Sequence, residues 1–214
     1  VGTEGNPYFV TGVDPQSMTS VRIEAAQACL NKRSMVDMGE LILYAGPNGL
    51  TAVEGATAAV LSQITLTPAQ WQADYYPSTI TGFKWQGRYV GFYNTGSGFG
   101  GFIFDPRSPD VGIVNLDASA LIRGGFTDPD DNELYLIIGN KIKKFQGSNT
   151  NLTFNWKSKE YAAPRPASFG FAKVDAEAYP VTIKVYGDGS VIYNATISTS
   201  GSAYSVTGTT PSFS

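Results

Sequence analysis

Three glycines in "GRYVGFYNTGSGFGGFIFDP" (87–106), namely Gly96, Gly98 and Gly101, stand at Gly-x-Gly-x-x-Gly spacing. Such spacing lets a backbone approach a pyrophosphate when a strand runs in and a helix runs out, because the helix N-terminus carries the phosphate charge. "RYVGFY" supplies the strand. "GFIFDP" is aromatic and β-branched and closes on Asp105-Pro106, so it reads as a second strand. Without a following helix the glycines belong to a hairpin tip, and no phosphate site is assigned to them.

The other reactive candidates are few. "TDPDDNE" gathers Asp128, Asp130, Asp131 and Glu133, whose oxygens could hold calcium. It lacks the glycine and the spacing of an EF-hand loop, and Asp-Pro-Asp-Asp-Asn is common turn composition; a turn is the favoured reading, with calcium the alternative. Cys29 lies in the apolar run "AAQACL", which points to a buried, inert thiol. The sequence holds no histidine, which removes Ser-His and Cys-His catalysis and His-ligated zinc. Among 18 acidic residues a carboxylate pair for glycoside hydrolysis always exists on paper, but nothing in the sequence sets two face to face. The Ser-x-Asp-x-Gly-x-Thr-Trp box of sialidase propellers is absent, and "GDGS" is a bare hairpin turn. Two sequons, Asn151-Leu-Thr153 and Asn194-Ala-Thr196, are no more than chance predicts in a chain rich in Asn, Ser and Thr. No catalytic, cofactor-binding or metal-ligating residue is assigned, and the expectation is a non-enzyme without cofactors.

Composition narrows what must position any site. With 214 residues the chain can build one domain with a real core or two small ones. Only 15 % of residues are charged, while Gly (24), Tyr (12) and Phe (12) are plentiful, which describes an all-β protein better than a helical one. A formal charge of −3 argues against a broad basic face for nucleic acid. The one basic candidate is "KIKKF". On a strand Lys141 and Lys143 share a face and Lys144 takes the other, so the segment reads as a solvated strand edge that discourages further pairing. No apolar run approaches the roughly 20 residues of a membrane helix, and no signal peptide is visible. The chain opens on Val1 and stops at "TPSFS", which suggests a piece of a longer polypeptide.

Three segments share one pattern: "MGELILYAGPNGLTAVEG", "QGRYVGFYNTGSGFGGFIFDP" and "DNELYLIIGNKIKKFQG". Each enters from a turn, runs as an apolar strand, turns on Gly or Asn and returns. Their first strands start near Glu40, Arg88 and Glu133, a recurrence of roughly 45–50 residues that fits antiparallel propeller blades. Small sheets bury their faces only by stacking on one another, and a closed ring takes about four to eight. In "ITLTPAQWQADYYPSTI", Thr67 is an N-cap, Pro68 suits the first helical position and Gln70 completes a capping box, so a short helix spans about 68–74 with Trp71 packed on a sheet. "TSVRIEAAQACLNKRS" is open between a helix over 24–30 and a strand plus loop, and its broken 3.6 period favours the latter. "YPVTIKVYGDGSVIYNATIS" is a hairpin, with Val181, Ile183 and Val185 alternating against Thr182, Lys184 and Tyr186 about a Gly187–Ser190 turn. The expected organisation is blades over 1–162, an incomplete ring, and a hairpin or sandwich-like segment over 163–214 ending in a Ser/Thr/Gly-rich tail.

Together, "CLNKRSMVDMGELILYAGPNGLTAV", "TPAQWQA", "GRYVGFY", "GFIFDP", "NELYLIIGNKIKKF", "LTFNWKSKEY" and "YPVTIKVYGDG" resemble, in the same order, strands of tail hub or nozzle proteins of short-tailed bacteriophages, the packaged-DNA stabilisation group among them. The resemblance spans Cys29 to Gly189. It implies an all-β propeller subunit repeated as a hexameric ring, made in the host cytoplasm and built into the virion tail. Such a ring extends the DNA channel below the portal adaptor, retains the packaged DNA without reading its sequence, and anchors fibres or spikes. The family supplies no catalytic residue to transfer. A slightly acidic channel would let DNA slide, and Tyr75, Tyr76 and Phe99 would suit either subunit contacts or core packing. The alternatives are a carbohydrate-binding or glycan-hydrolysing propeller acting as a receptor-binding module, with Trp85 or Trp156 exposed beside carboxylates, and a secreted lectin-like domain using the sequons.

Overall fold

The computed structural model describes residues 1–148, 153, 155–158, 160–162, 164, 171–172, 174–198 and 204–205. The chain divides into two compact units, Val1–Asn151 and Leu152–Ser214. Position 163, where the expected boundary falls, lies outside the described residues.

The first unit is a succession of antiparallel sheets. An exposed hairpin, β1 (Tyr8–Thr11) and β2 (Thr19–Arg22), leads to an irregular stretch and a 3-10 turn at Lys32–Ser34. Strand plus loop is thus what "TSVRIEAAQACLNKRS" forms. Its backbone is tied to its surroundings, with Cys29 N donating to Thr3 O and Leu30 N to Ala45 O, so those amides have partners that a helix would have forfeited.

Next comes a four-stranded meander, β3 (Val36–Asp37), β4 (Ile42–Ala45), β5 (Leu50–Glu54) and β6 (Thr57–Val60). Helix α1 (Pro68–Tyr75) follows. Gln70 N donates to Thr67 Oγ1 and Thr67 N to Gln70 Oε1, which closes the expected capping box, and Tyr76 in the left-handed region (φ 46°) ends the helix before Pro77. A second meander holds β7 (Thr81–Trp85), β8 (Arg88–Asn94), β9 (Phe99–Phe104) and β10 (Ile113–Ala118). A three-stranded one holds β11 (Ile122–Thr127), β12 (Leu134–Ile138) and β13 (Lys141–Lys144). Each of the three recurring hairpins legible in the sequence is therefore the centre of a larger meander that gains a strand in front and, in the first two sheets, one behind.

Strand alternation makes the second sheet a middle layer. Tyr89, Phe102 and Phe104 share one face and join Leu43, Leu50, Trp71, Tyr75 and Ile80 in one buried cluster with the first sheet and α1. Val90 and Phe92 point the other way and meet Trp85, Ile122, Leu134 and Leu136 in a second cluster with the third sheet. Each such side chain contributes roughly 1.5–3 kcal/mol on burial, so the two clusters hold the stack together. First strands lie side by side: β7 contacts both β3 and β11. Among the described residues the sheets close into neither a ring nor a barrel.

In the second unit, β14 (Phe171–Ala172) pairs with β17 (Tyr204–Ser205), and the expected hairpin forms from β15 (Val181–Gly187) and β16 (Ser190–Ile197). Asp188 (φ 48°) and Gly189 (φ 78°) form its two-residue turn; two successive positive φ angles match the right-handed twist of the flanking strands. No helix among the described residues is long and apolar enough to cross a membrane.

Candidate functional site

The glycine fingerprint is the β8–β9 hairpin. Gly96 (φ 85°) gives its amide to Asn94 Oδ1 at 2.8 Å, and Gly98 gives its own to Thr95 Oγ1 at 2.9 Å. Both amides that would have cradled a phosphate are thus consumed by the turn. Gly101 lies inside β9 opposite Phe92, where a strand and not a helix follows. Sequence and structure agree on this segment.

Asp128–Glu133 is a self-satisfied turn joining β11 to β12. Asp128 N donates to Glu133 O, Asp130 N to Asp128 Oδ1 and Glu133 N to Asp131 Oδ1. The Lys144 ammonium sits 3.7 Å from Asp131 and 3.4 Å from Glu133, and Tyr135 donates its hydroxyl to Asp131. The Glu133 amide first, then the tyrosine hydroxyl and the lysine, hold the Asp131 carboxyl below its ordinary range. Among the described residues no three His, Cys, Asp or Glu side chains converge as metal ligands. Lys141 and Lys143 are exposed on β13, the edge strand of the third sheet, as the sequence suggests.

Asp105 at the end of β9 has the strongest electrostatic setting. Arg107 engages it in a fork, Nε to Oδ1 at 2.8 Å and Nη2 to Oδ2 at 2.7 Å, while its backbone amide also donates to Oδ1. Arg88 approaches Oδ2 at 3.4 Å and lies over the Trp85 ring. The Arg107 hydrogen bonds lead in pushing this carboxyl down to about 2. A carboxylate depressed on folding stabilises the fold above its unfolded pKa of roughly 4, and that contribution fades as pH falls from there towards the folded value. Asp105→Asn is expected to flatten the loss of thermal stability between about pH 4 and pH 2; acid melts of both proteins check this, and parallel curves would refute it.

Cys29 is half-buried and donates its thiol to Asn31 O at 3.4 Å; burial raises its pKa, so it stays protonated. Among the aromatics marked as possible subunit contacts, Tyr75 is core at 6 % exposure, because α1 turns it between Trp71 and Phe102, with its hydroxyl on Asn115. Tyr76 and Phe99 are exposed at 38 % and 37 %. Trp85 is buried, whereas Trp156 is 76 % exposed. Asn194 stands in β16, and Asn151 lies outside the described residues.

Two features escape a linear reading. The outer face of the third sheet carries Phe126 stacked on Tyr135 (5.5 Å between ring centres), followed by Ile137 and by Ile142 at 63 % exposure. A cleft of about 470 Å3 also opens where the three first strands begin, and Arg33, Arg123, Asn31, Thr79, Thr81 and Asn94 line it. The 3-10 turn before β3 presents Arg33. Asn31 Oδ1 caps its amide at 3.0 Å, and the buried Ser34 beside it takes Ala45 N at 2.9 Å on its hydroxyl and Tyr89 OH at 2.8 Å on its carbonyl. Arg123 is the bulged residue of β11: Ile122 pairs with Ile138 and Gly124 with Ile137, which leaves Arg123 without a cross-strand partner. Bulges re-aim side chains in this way. No protein-family model matches the chain, and a search of the curated proteins returns no match.

Proposed function

We propose that this chain is a structural protein of a tailed-phage virion, a tail hub or nozzle subunit with no catalytic role. In this reading the three meanders are consecutive β-propeller blades. Copies assemble as a hexameric ring that extends the DNA channel, retains the packaged genome and anchors fibres or spikes beside the portal adaptor. The observation that carries it is the contact of β7 with both β3 and β11, the first strands of successive meanders. Gathered first strands are how propeller blades surround an axis, and the strand starts at Val36, Thr81 and Ile122 recur at roughly 40–45 residues as blades do. Three blades do not close a propeller, so further sheets complete the ring, and the apolar outer face of the third sheet suits such stacking. The strand order of the quoted phage-like motifs supplies the virion assignment.

Native mass measurement and particle images of the purified chain test the proposal. The expected result is a ring-shaped oligomer with a central channel. A stable monomer that binds glycans would move the assignment to a carbohydrate-binding module, the second reading, which exposed Trp156 favours because sugar faces stack on such rings.

A further inference from the structure

We propose that the cleft between Arg33 and Arg123 is an oxyanion-binding site that takes a phosphate group. Its lining contains no carboxylate. Among the described residues no Asp or Glu lies within ion-pair distance of either guanidinium, although Arg22, Arg88, Arg107 and Lys144 all have one. Arg33 and Arg123 thus meet in one concavity with their charge uncompensated. The side-chain oxygens of the lining residues Asn31 and Asn94 already accept the Arg33 and Gly96 amides, which leaves their N–H groups as what these carboxamides have to offer a ligand. Two planar guanidinium forks, two amide donors and the Thr81 hydroxyl make a set rich in donors, and tetrahedral phosphate oxygens match it. The volume is in the range of small-molecule sites, and Leu121 and Ile122 supply an apolar wall on which the organic part of a phosphate ester can rest.

Both arginines are placed by devices that the sheets do not need for their own pairing. Arg33 rides on a capped 3-10 turn anchored through buried Ser34, and Arg123 on a bulge that interrupts the β11–β12 ladder. This site is independent of the virion reading: a monomeric chain would hold it equally well.

The ligand phosphate could be free, or it could be one unit of a nucleic-acid backbone, and the experiment has an arm for each. The full chain is titrated by calorimetry with inorganic phosphate and, separately, with a short DNA duplex at low salt. The measurements are repeated for Arg33→Gln, Arg123→Gln and Lys143→Gln, the last removing an equal charge outside the cleft. Saturable binding of either ligand is expected, weakened roughly tenfold or more by each arginine change and unaltered by Lys143→Gln, with thermal stability preserved in all. Phosphate binding identifies a small-oxyanion site, and duplex binding alone identifies the backbone. The proposal is overturned if neither ligand binds, if the arginine variants bind like the parent, or if Lys143→Gln weakens binding as much as they do.

Discussion

Trp71→Ala is expected to cost the first unit about 3–5 kcal/mol, the range for deleting a large buried aromatic side chain. Trp71 has no exposed surface, stacks on Tyr75 at 5.4 Å between ring centres and meets the edge of Phe102 at 6.0 Å. Its indole N–H donates to Gly46 O at 2.9 Å, which ties α1 to the β4–β5 turn. Removing it leaves a cavity among rigid rings and strips that carbonyl of a buried donor. In thermal unfolding the midpoint should fall by roughly 10 °C or more. Trp71→Phe shifts the balance between the two causes, since it keeps an aromatic ring in the stack and loses the hydrogen bond with only the smaller part of the indole volume, for a cost of about 1–3 kcal/mol. Trp85 is the control: it too is buried, at 7 % exposure, yet its Nε1 has no acceptor, so Trp85→Phe should cost clearly less than Trp71→Phe. Equal losses at the two positions would show that the Gly46 bond contributes nothing.

The elements that the sequence announces are those whose signal is local. The α1 capping box is three adjacent residue types, and the β15–β16 hairpin is strict alternation around Asp188-Gly189. The central hairpins of the first two meanders stand out because their strands are mostly buried and apolar, and that of the third because apolar β12 is followed across a Gly-Asn turn by the alternating, exposed β13. Their flanking strands are quieter. β7 reads "TGFKW" and β11 "IRGGFT", where glycine and charge break the pattern, and β3 is only two residues long. Tyr75 and Tyr76 were alike in sequence and were parted by the helix end: one turns into the core, and the other, at φ 46°, faces out. The arginine cleft left no trace in the sequence. Arg33 and Arg123 are distant along the chain, and only the side-by-side first strands together with a bulge bring them into one lining. Composition registers an excess or deficit of charge, but it cannot register which charges lack partners.

Glycine within strands is the other place where local pattern misleads, and it yields the second large effect. On an ordinary strand Gly→Val should stabilise, because valine has the better β-propensity and loses less backbone entropy on folding. At Gly91 the opposite is expected. Gly91 is buried in β8 directly across from Phe102, and a Cβ there would stand 2.5 Å from ring atom Cζ and 2.6 Å from Cε1. The ring has little room to retreat, since Trp71, Tyr75, Tyr89 and Tyr93 surround it with ring centres 5.4–6.4 Å away. Gly91→Val should therefore destabilise by about 1–3 kcal/mol or more, the cost of overpacking a filled core. A double-mutant cycle isolates the cause: Gly91→Ala should cost less in a Phe102→Leu background than in the parent, since the smaller side chain vacates the space that the methyl needs. Denaturant unfolding of the four proteins measures the coupling. Additive losses, or a Gly91→Val protein more stable than its parent, would mean that Phe102 does not lie across this glycine, and β8 and β9 would then have to pair in another register.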